Sequence, residues 1–288
     1  MTNIELGIIG GSGLYGMSGF SDIEEITVTT PFGSPSDALI VGTLHGRRIV
    51  FLPRHGRGHT LTPSEVPYRA NIFALKELGV KYVVAVSACG SLREDYAPGH
   101  VVIPDQLVDF TRNRERSFFG SGLVAHVSPA QPFSAELSQV VAEAVRESNG
   151  NVHESGAFIT IEGPRFSTKG ESNLYRQWDM SIIGMTTSPE AFLAAEAEMA
   201  YAVMAHVTDY DVWHESEDSV TVEMVIRILQ QNTRLVQQAL FHMAKHMKEW
   251  AVDMPVHHAL RDALITNREY IHPKTKEALW PIVGKYLG

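Results

Sequence analysis

Three short segments of the chain concentrate side chains that can do chemistry. The first, Gly11-Ser12-Gly13-Leu14-Tyr15-Gly16, follows an apolar run at 6–9. It satisfies G-x-G-x-x-G, but a dinucleotide site needs that pattern to open a helix and to meet an acidic residue about 20 positions on. Here Ser18-Gly19-Phe20 breaks any helix and Thr29-Thr30-Pro31 closes the next strand. What is left is a Gly/Ser turn whose backbone N–H groups and one hydroxyl suit a single phosphate, or a tight turn with no ligand. The second segment, Arg54-His55-Gly56-Arg57-Gly58-His59, follows the run 49–52. Arginine offers a planar fork to phosphate oxygens, histidine can donate or share a proton, and glycine lets the backbone come close. The same charges would also suit a solvated turn. The third, Thr208-Asp209-Tyr210-Asp211, ends the apolar run 202–207, where open α/β sheets place their ligands. Two carboxylates one residue apart can address one ligand edge. Flanked by Tyr210 and Trp213, Asp209 is expected to be partly desolvated, which raises a carboxyl pKa and makes a proton donor. The plainer alternative is an N-cap beside a surface acid.

Other chemistries find less support. His55 with His59 and His242 with His246 repeat at i and i+4, yet the first pair lies in a Gly-rich loop and the second lacks the Glu of H-E-x-x-H. No metal is expected. Ser12 has no glycine two places on, so it fails the hydrolase elbow. The net charge of −9 disfavours nucleic acid, so a bound phosphate must be held locally. The single cysteine, Cys89, the lack of an Asn-x-Ser/Thr sequon and a start without basic residues predict a cytoplasmic protein. No run approaches the ~20 apolar residues of a membrane helix.

The elements that must position these groups follow from periodicity. Short β-branched runs at 6–9, 49–52, 82–86, 101–103, 157–161, 182–183 and 202–207 predict buried strands. Leu137, Val140, Val141, Ala144 and Val145 share a helical face behind Ser134 as N-cap. Tyr68, Ile72 and Leu75 share another that stops at Gly79, and Ser188-Pro189-Glu190 reads as N-cap, N1 and N2 of a third helix. The longest helix is predicted over 221–250. Alternating strands and helices imply an α/β fold, and two extended runs within 31–52 without a helix between them imply that the sheet is partly antiparallel. No linker divides the chain and no repeat appears, so 1–255 is expected to be one main domain. Residues 256–288 form a C-terminal helical extension, with helices predicted over 259–265 and 273–287 around a break at Thr266-Asn267. Leu279, Trp280, Ile282 and Val283 need burial on the body or on another subunit.

Taken in order, these loops resemble those of the purine nucleoside phosphorylase superfamily, and within it the trimeric methylthioadenosine phosphorylase type. Gly7-Ile8-Ile9-Gly10-Gly11-Ser12-Gly13-Leu14, Thr30-Pro31-Phe32-Gly33-Ser34-Pro35-Ser36-Asp37 and Arg54-His55-Gly56-Arg57 are similar to its phosphate half. Ser87-Ala88-Cys89-Gly90-Ser91-Leu92, Ile161-Glu162-Gly163-Pro164-Arg165-Phe166-Ser167, Gly184-Met185-Thr186 and Thr208-Asp209-Tyr210-Asp211 are similar to its nucleoside half. The similarity runs over about 4–250 and leaves the tail outside.

The resemblance implies a single-domain phosphorylase fold with a mixed twisted sheet flanked by helices. It also implies cleavage of an N-glycosidic bond by inorganic phosphate, a co-substrate, with no cofactor. Ser12, Arg54, His55, Ser87 and Thr186 would meet phosphate. Ala88, Phe166, Ile183 and Met185 would line the nucleoside, and Asp209 and Asp211 would hold the adenine edge, Asp209 as acid. Val222, Val225 and Ile226 would form an apolar pocket for a 5′-methylthio group, completed by His126 of a neighbouring subunit; plain helix amphipathicity explains the same valines. A homotrimer, or a hexamer of two trimers, is implied. The nearest alternative is a phosphorylase of 6-oxopurine nucleosides or methylthioinosine, whose base loop usually carries Asn; a hydrolytic nucleosidase would have no use for the Arg54-His55 loop. A non-catalytic nucleotide-binding module is the distant alternative.

Overall fold

The computed structural model describes residues 4–214 except 12 and 15, then 222–250 and 253–288, without the side chains of 222–231. Ser12 and the side chains of Val222, Val225 and Ile226 therefore lie outside the described residues. The strands in chain order are β1 (Leu6–Gly10), β2 (Ser21–Ile26), β3 (Leu39–Leu44), β4 (Arg47–Pro53), β5 (Tyr82–Ser91), β6 (Val101–Val102), β7 (Gln106–Phe110), β8 (Val152–His153), β9 (Ala157–Ile161), β10 (Ile182–Gly184) and β11 (Ala200–Asp209). The α-helices are α1 (Tyr68–Glu77), α2 (Ala135–Glu147), α3 (Lys169–Gln177), α4 (Thr187–Glu196), α5 (Val222–His246), α6 (Pro273–Ala278) and α7 (Trp280–Leu287).

One mixed sheet runs β2-β3-β4-β1-β5-β10-β9-β7, and β11, β6 and β8 branch from β5. Strands β1 and β11 are buried at every residue, as parallel strands covered on both faces must be. One face packs Val236, Leu240 and Met243 of α5 and Leu137, Val141 and Val145 of α2 against Val84, Ala202 and Met204. The other packs Ile72 and Leu75 of α1 and Ala191 and Ala194 of α4 against Val83, Ala85, Val203 and Ala205. The expected antiparallel part is β3 against β4, with Ile40 opposite Phe51 and Val41 opposite Val50. Their link is the two-residue turn His45-Gly46, with φ of 50° and 71°, the hand that matches strand twist.

The local signals hold where side chains and backbone agree. The Ser134 hydroxyl accepts from Leu137 N at 3.4 Å to cap α2, and Gly79 leaves α1 with a φ of 90°. Ser188 is extended (φ −100°, ψ 134°), so the helical turns of α4 start at Pro189, as Ser-Pro-Glu implies. The tail departs from expectation. In place of a helix over 259–265 there is a 3₁₀ turn at Pro255–His258 followed by further turns. Its backbone is taken up by segment 124–126: His126 N donates to Ala263 O at 2.9 Å, Ile265 N to Val124 O at 3.0 Å, and Leu264 bridges Ala125. The helix expected over 273–287 divides at Leu279 into α6 and α7, because Pro281 has no N–H to continue it. Leu279, Ile282 and Val283 are buried in the core that holds α1, whereas Trp280 stays 48% exposed.

His206, in the buried strand β11, has no hydrogen-bond partner on either ring nitrogen among the described residues, and burial pushes its imidazole down to about 4. Relative to the ordinary 6.5 this depression amounts to roughly 3 kcal/mol. The folded state keeps the ring neutral, so that stability is present above pH 6.5 and is lost as pH falls toward 4. His206→Leu removes the unpaired polar atoms, each costing ~1–3 kcal/mol, and should raise the urea midpoint at pH 7 and more so at pH 5. A variant no more stable than the parent at either pH would contradict this.

Candidate active site

The phosphate half is assembled by strand register. Strand β1 pairs in parallel with β4 and β5, so the C-terminal ends of all three lie together. Arg54 leaves β4 with its N–H on Gly10 O at 3.0 Å, which pins the Arg54-His55 loop beside the Gly11-Gly13 loop. Its guanidinium, 4% exposed, is held by Glu190 of α4, which accepts from Nε at 2.6 Å and Nη2 at 3.0 Å; Nη1 donates to Val86 O at 3.1 Å. Glu190 is fully buried and also accepts from the Tyr201 hydroxyl at 2.8 Å. Helix α4, which carries Glu190, follows the Gly184-Met185-Thr186 loop directly, and Thr186 is buried. Ser87, midway along β5, is buried, and its hydroxyl has no partner among the described residues. His55 Nδ1 sits 2.8 Å from Leu61 O, its ring stacks on His59 at 4.3 Å, and burial followed by the adjacent Arg54 charge pushes it down to about 4. Arg57 plays a different part from Arg54: it is tied to Glu25 and Asp37, so its charge is spent on loop structure.

The nucleoside half forms where β5 forks. Its last residues pair with β11 on one side, up to Asp209 opposite Gly90, and with β10 on the other, Ile183 opposite Gly90. A Cβ on Gly90 would lie 3.0 Å from Asp209 Oδ1, 3.1 Å from Ile183 Cγ2 and 3.2 Å from Asp211 Cβ. Only glycine lets these three groups close on one point. On the next strand, a Cβ on Gly184 would lie 3.5 Å from Ala88 O, so the Ala88 and Met185 loops are adjacent. Gly163, at φ 65°, brings the Glu162-Gly163-Pro164 turn against Met185, where a Cβ would stand 2.6 Å from its sulfur. Phe166, on the same loop, keeps 39% of its surface open.

Asp209 and Asp211 are both buried. Asp209 accepts from Thr208 Oγ1 at 2.6 Å and from Asp211 N at 2.8 Å, while Asp211 Oδ2 makes no well-formed hydrogen bond among the described residues. Desolvation raises both carboxyls, Asp211 to about 6. Asp211 adopts φ 51°, a left-handed conformation that turns the chain into the short 3₁₀ helix Asp211–Trp213. Trp213 anchors that helix, donating from Nε1 to Ser91 O at 2.8 Å beneath the Arg176 guanidinium. The pair can therefore accept hydrogen bonds from a polar edge or supply a proton near neutrality.

His126 is exposed, held by the tail through the bonds described above, and its described contacts do not join it to the other site residues. Two residues escape sequence reasoning. One is Glu190. The other is Arg114, 8% exposed, which donates to Met185 O at 2.6 Å, Ser188 O at 2.7 Å and Glu162 O at 2.8 Å, and so locks two site loops together. Nothing in the sequence sets it apart, because it stands in the charged run Arg112-Asn113-Arg114-Glu115-Arg116. Among the described residues no group of three or more His, Cys, Asp or Glu side chains is arranged to hold a metal ion, and no helix is long and apolar enough to cross a membrane.

A sequence profile of the Phosphorylase superfamily matches residues 5–245. The chain belongs to this superfamily. Among its relatives, the S-methyl-5′-thioadenosine phosphorylase of Chloroflexus aurantiacus is 53% identical over 99% of both chains. That of Geobacter sulfurreducens is 50% identical over 98% of this chain and 99% of its own. Among solved structures, a methylthioadenosine phosphorylase from an antarctic soil metagenomic library superposes with a TM-score of 0.94 at 44% identity, covering 98% of this chain and 99% of that one. The Schistosoma mansoni enzyme in complex with adenine gives 0.82 at 39% identity over 86% and 93%. The superfamily match ends before the C-terminal extension, whereas the Chloroflexus relative is similar along its whole length.

Proposed function

We propose that the protein catalyses phosphorolysis of S-methyl-5′-thioadenosine, yielding adenine and 5-methylthioribose 1-phosphate in purine and methionine salvage. The observation that carries this reading is the buried Asp209–Asp211 pair at the fork of β5, where Gly90 packs against both, with Ser87 three residues back along the same strand. The names of the relatives point to the same substrate. As the glycosidic bond breaks, the ribosyl carbon develops positive charge; a phosphate held by Ser12, Arg54, His55, Ser87 and Thr186 stabilises that charge and then captures it. Asp209 protonates or hydrogen-bonds purine N7 and Asp211 accepts from the 6-amino group. Met185 packs on the ribose, and Ala88, Ile183 and Phe166 bound the base. Phosphate supplies both nucleophile and countercharge, so the reaction draws on no metal or organic cofactor.

The 5′ end selects the substrate. Val222, Val225 and Ile226 of α5, with His126 from a neighbouring subunit, enclose a methylthio group in a homotrimer, alone or paired as a hexamer, in the cytoplasm. An apolar pocket leaves a 5′-hydroxyl unsatisfied at ~1–3 kcal/mol, so methylthioadenosine should exceed adenosine in kcat/KM by about 5-fold to 150-fold. Initial rates of adenine release from the two nucleosides at fixed phosphate measure this. Equal kcat/KM values would remove the apolar 5′ pocket, and a preference for methylthioinosine would overturn the assigned base.

A further inference from the structure

The imidazole of His55 is committed at one nitrogen. Nδ1 lies 2.8 Å from the carbonyl oxygen of Leu61, and a carbonyl can only accept, so Nδ1 carries the hydrogen. Burial and the neighbouring Arg54 charge keep the ring neutral near pH 7. A neutral ring protonated at Nδ1 has a bare lone pair on Nε2. Its neighbour Arg54 and the Ser87 side chain of β5 have donors to spare. Of the five N–H groups of Arg54, Glu190 takes one from Nε and one from Nη2, and Val86 O takes one from Nη1. One N–H is left on each terminal nitrogen. The buried Ser87 hydroxyl, with no partner of its own, adds a third. Three donors and one acceptor match an oxyanion that has three bare oxygens and one O–H.

We propose that His55 Nε2 accepts the P–OH hydrogen of bound hydrogen phosphate, which makes His55 the residue that separates protonated oxyanions from fully deprotonated ones of the same shape. The proposal rests on the phosphorolysis reading, which places phosphate against this loop. Sulfate is the discriminating probe: it is tetrahedral and doubly negative like hydrogen phosphate, but carries no proton near neutrality. Facing His55 it would set an oxygen lone pair against a nitrogen lone pair and forfeit that hydrogen bond.

Calorimetric titration of the free enzyme with phosphate and with sulfate at pH 7.5, roughly the midpoint of ordinary assay conditions, reads the difference without requiring turnover. Phosphate should bind at least ~10-fold more tightly than sulfate, the scale of one hydrogen bond to a charged group. Arsenate, which keeps an O–H at this pH, should bind like phosphate and replace it in releasing adenine from methylthioadenosine. His55→Lys presents only donors and should bring sulfate and phosphate to comparable affinity, whereas His55→Gln, whose amide oxygen still accepts, should retain a preference for phosphate. Equal binding of sulfate and phosphate by the parent enzyme overturns the proposal, as does an unchanged ratio in the lysine variant. Should the lysine variant not fold, the parent ratio alone decides. If phosphate binds with the expected preference but releases no adenine, phosphorolysis fails while the role of His55 stands.

Discussion

Asp209→Ala is expected to lower kcat by ~10² to 10⁴, the usual contribution of a positioned proton donor. The carboxyl ends a fully buried strand, and burial raises its pKa, while the hydrogen bonds from Thr208 and Asp211 oppose but do not cancel that rise. Among the described residues no arginine or lysine pairs with it. Asp211, two residues on, is raised to about 6 by burial and by the Asp209 charge. Two carboxyls this close titrate as a pair, so one proton is held by the dyad into the neutral range. The active form is the protonated one, and kcat should therefore decline as pH rises past the upper apparent pKa of the pair. Asp209→Asn is the sharper variant. An amide can still donate a hydrogen bond but suits a 6-oxopurine, so methylthioadenosine turnover should fall and relative preference should move toward methylthioinosine. Parental turnover of methylthioadenosine in the Asn variant, with nothing gained on the inosine analogue, would remove both the acid role and the basis of purine selection.

Arg54→Ala should raise the phosphate KM strongly, by the ~2–3 kcal/mol of a charge-assisted contact, or about 30-fold to 150-fold. The structure adds a second consequence. Glu190, completely buried, would lose its only salt bridge among the described residues, and leaving one member of a buried ion pair behind costs ~3–5 kcal/mol of stability. Thermal unfolding and phosphate saturation curves measure the two effects separately. An unchanged phosphate KM would take Arg54 out of the site, and an unchanged melting temperature would mean that Glu190 is satisfied elsewhere.

What could be seen in the sequence was whatever depends on near neighbours. The Ser134 cap, the stop at Gly79, the Ser188-Pro189 start and the mostly apolar strand leading to Asp209 are each set within one turn or strand by local backbone chemistry. Groups that meet across the fold were not legible. Glu190 lies 136 residues from Arg54, and at the start of an Ala-rich helix it looks like an ordinary first-turn acid. Arg57 and Arg54 carry the same charge in the same loop, and only the fold shows that Arg57 is tied to Glu25 and Asp37 near the surface while Arg54 is paired with Glu190 in the interior. The fork at Gly90 depends on three strands far apart in sequence. The tail failed for the opposite reason: residues 259–265 have a helical pattern, but segment 124–126 offers their backbone strand partners, and tertiary pairing overrides propensity.

The central claim is that phosphate, bound between the Arg54-His55 loop and Ser87, is the nucleophile. Adenine release from methylthioadenosine, followed in phosphate-free buffer and across a phosphate titration with ³¹P detection of the sugar product, tests it most directly. Saturable release that vanishes without phosphate and yields one 1-phosphate ester per adenine is the predicted result; equal release without phosphate, giving free methylthioribose, would contradict it.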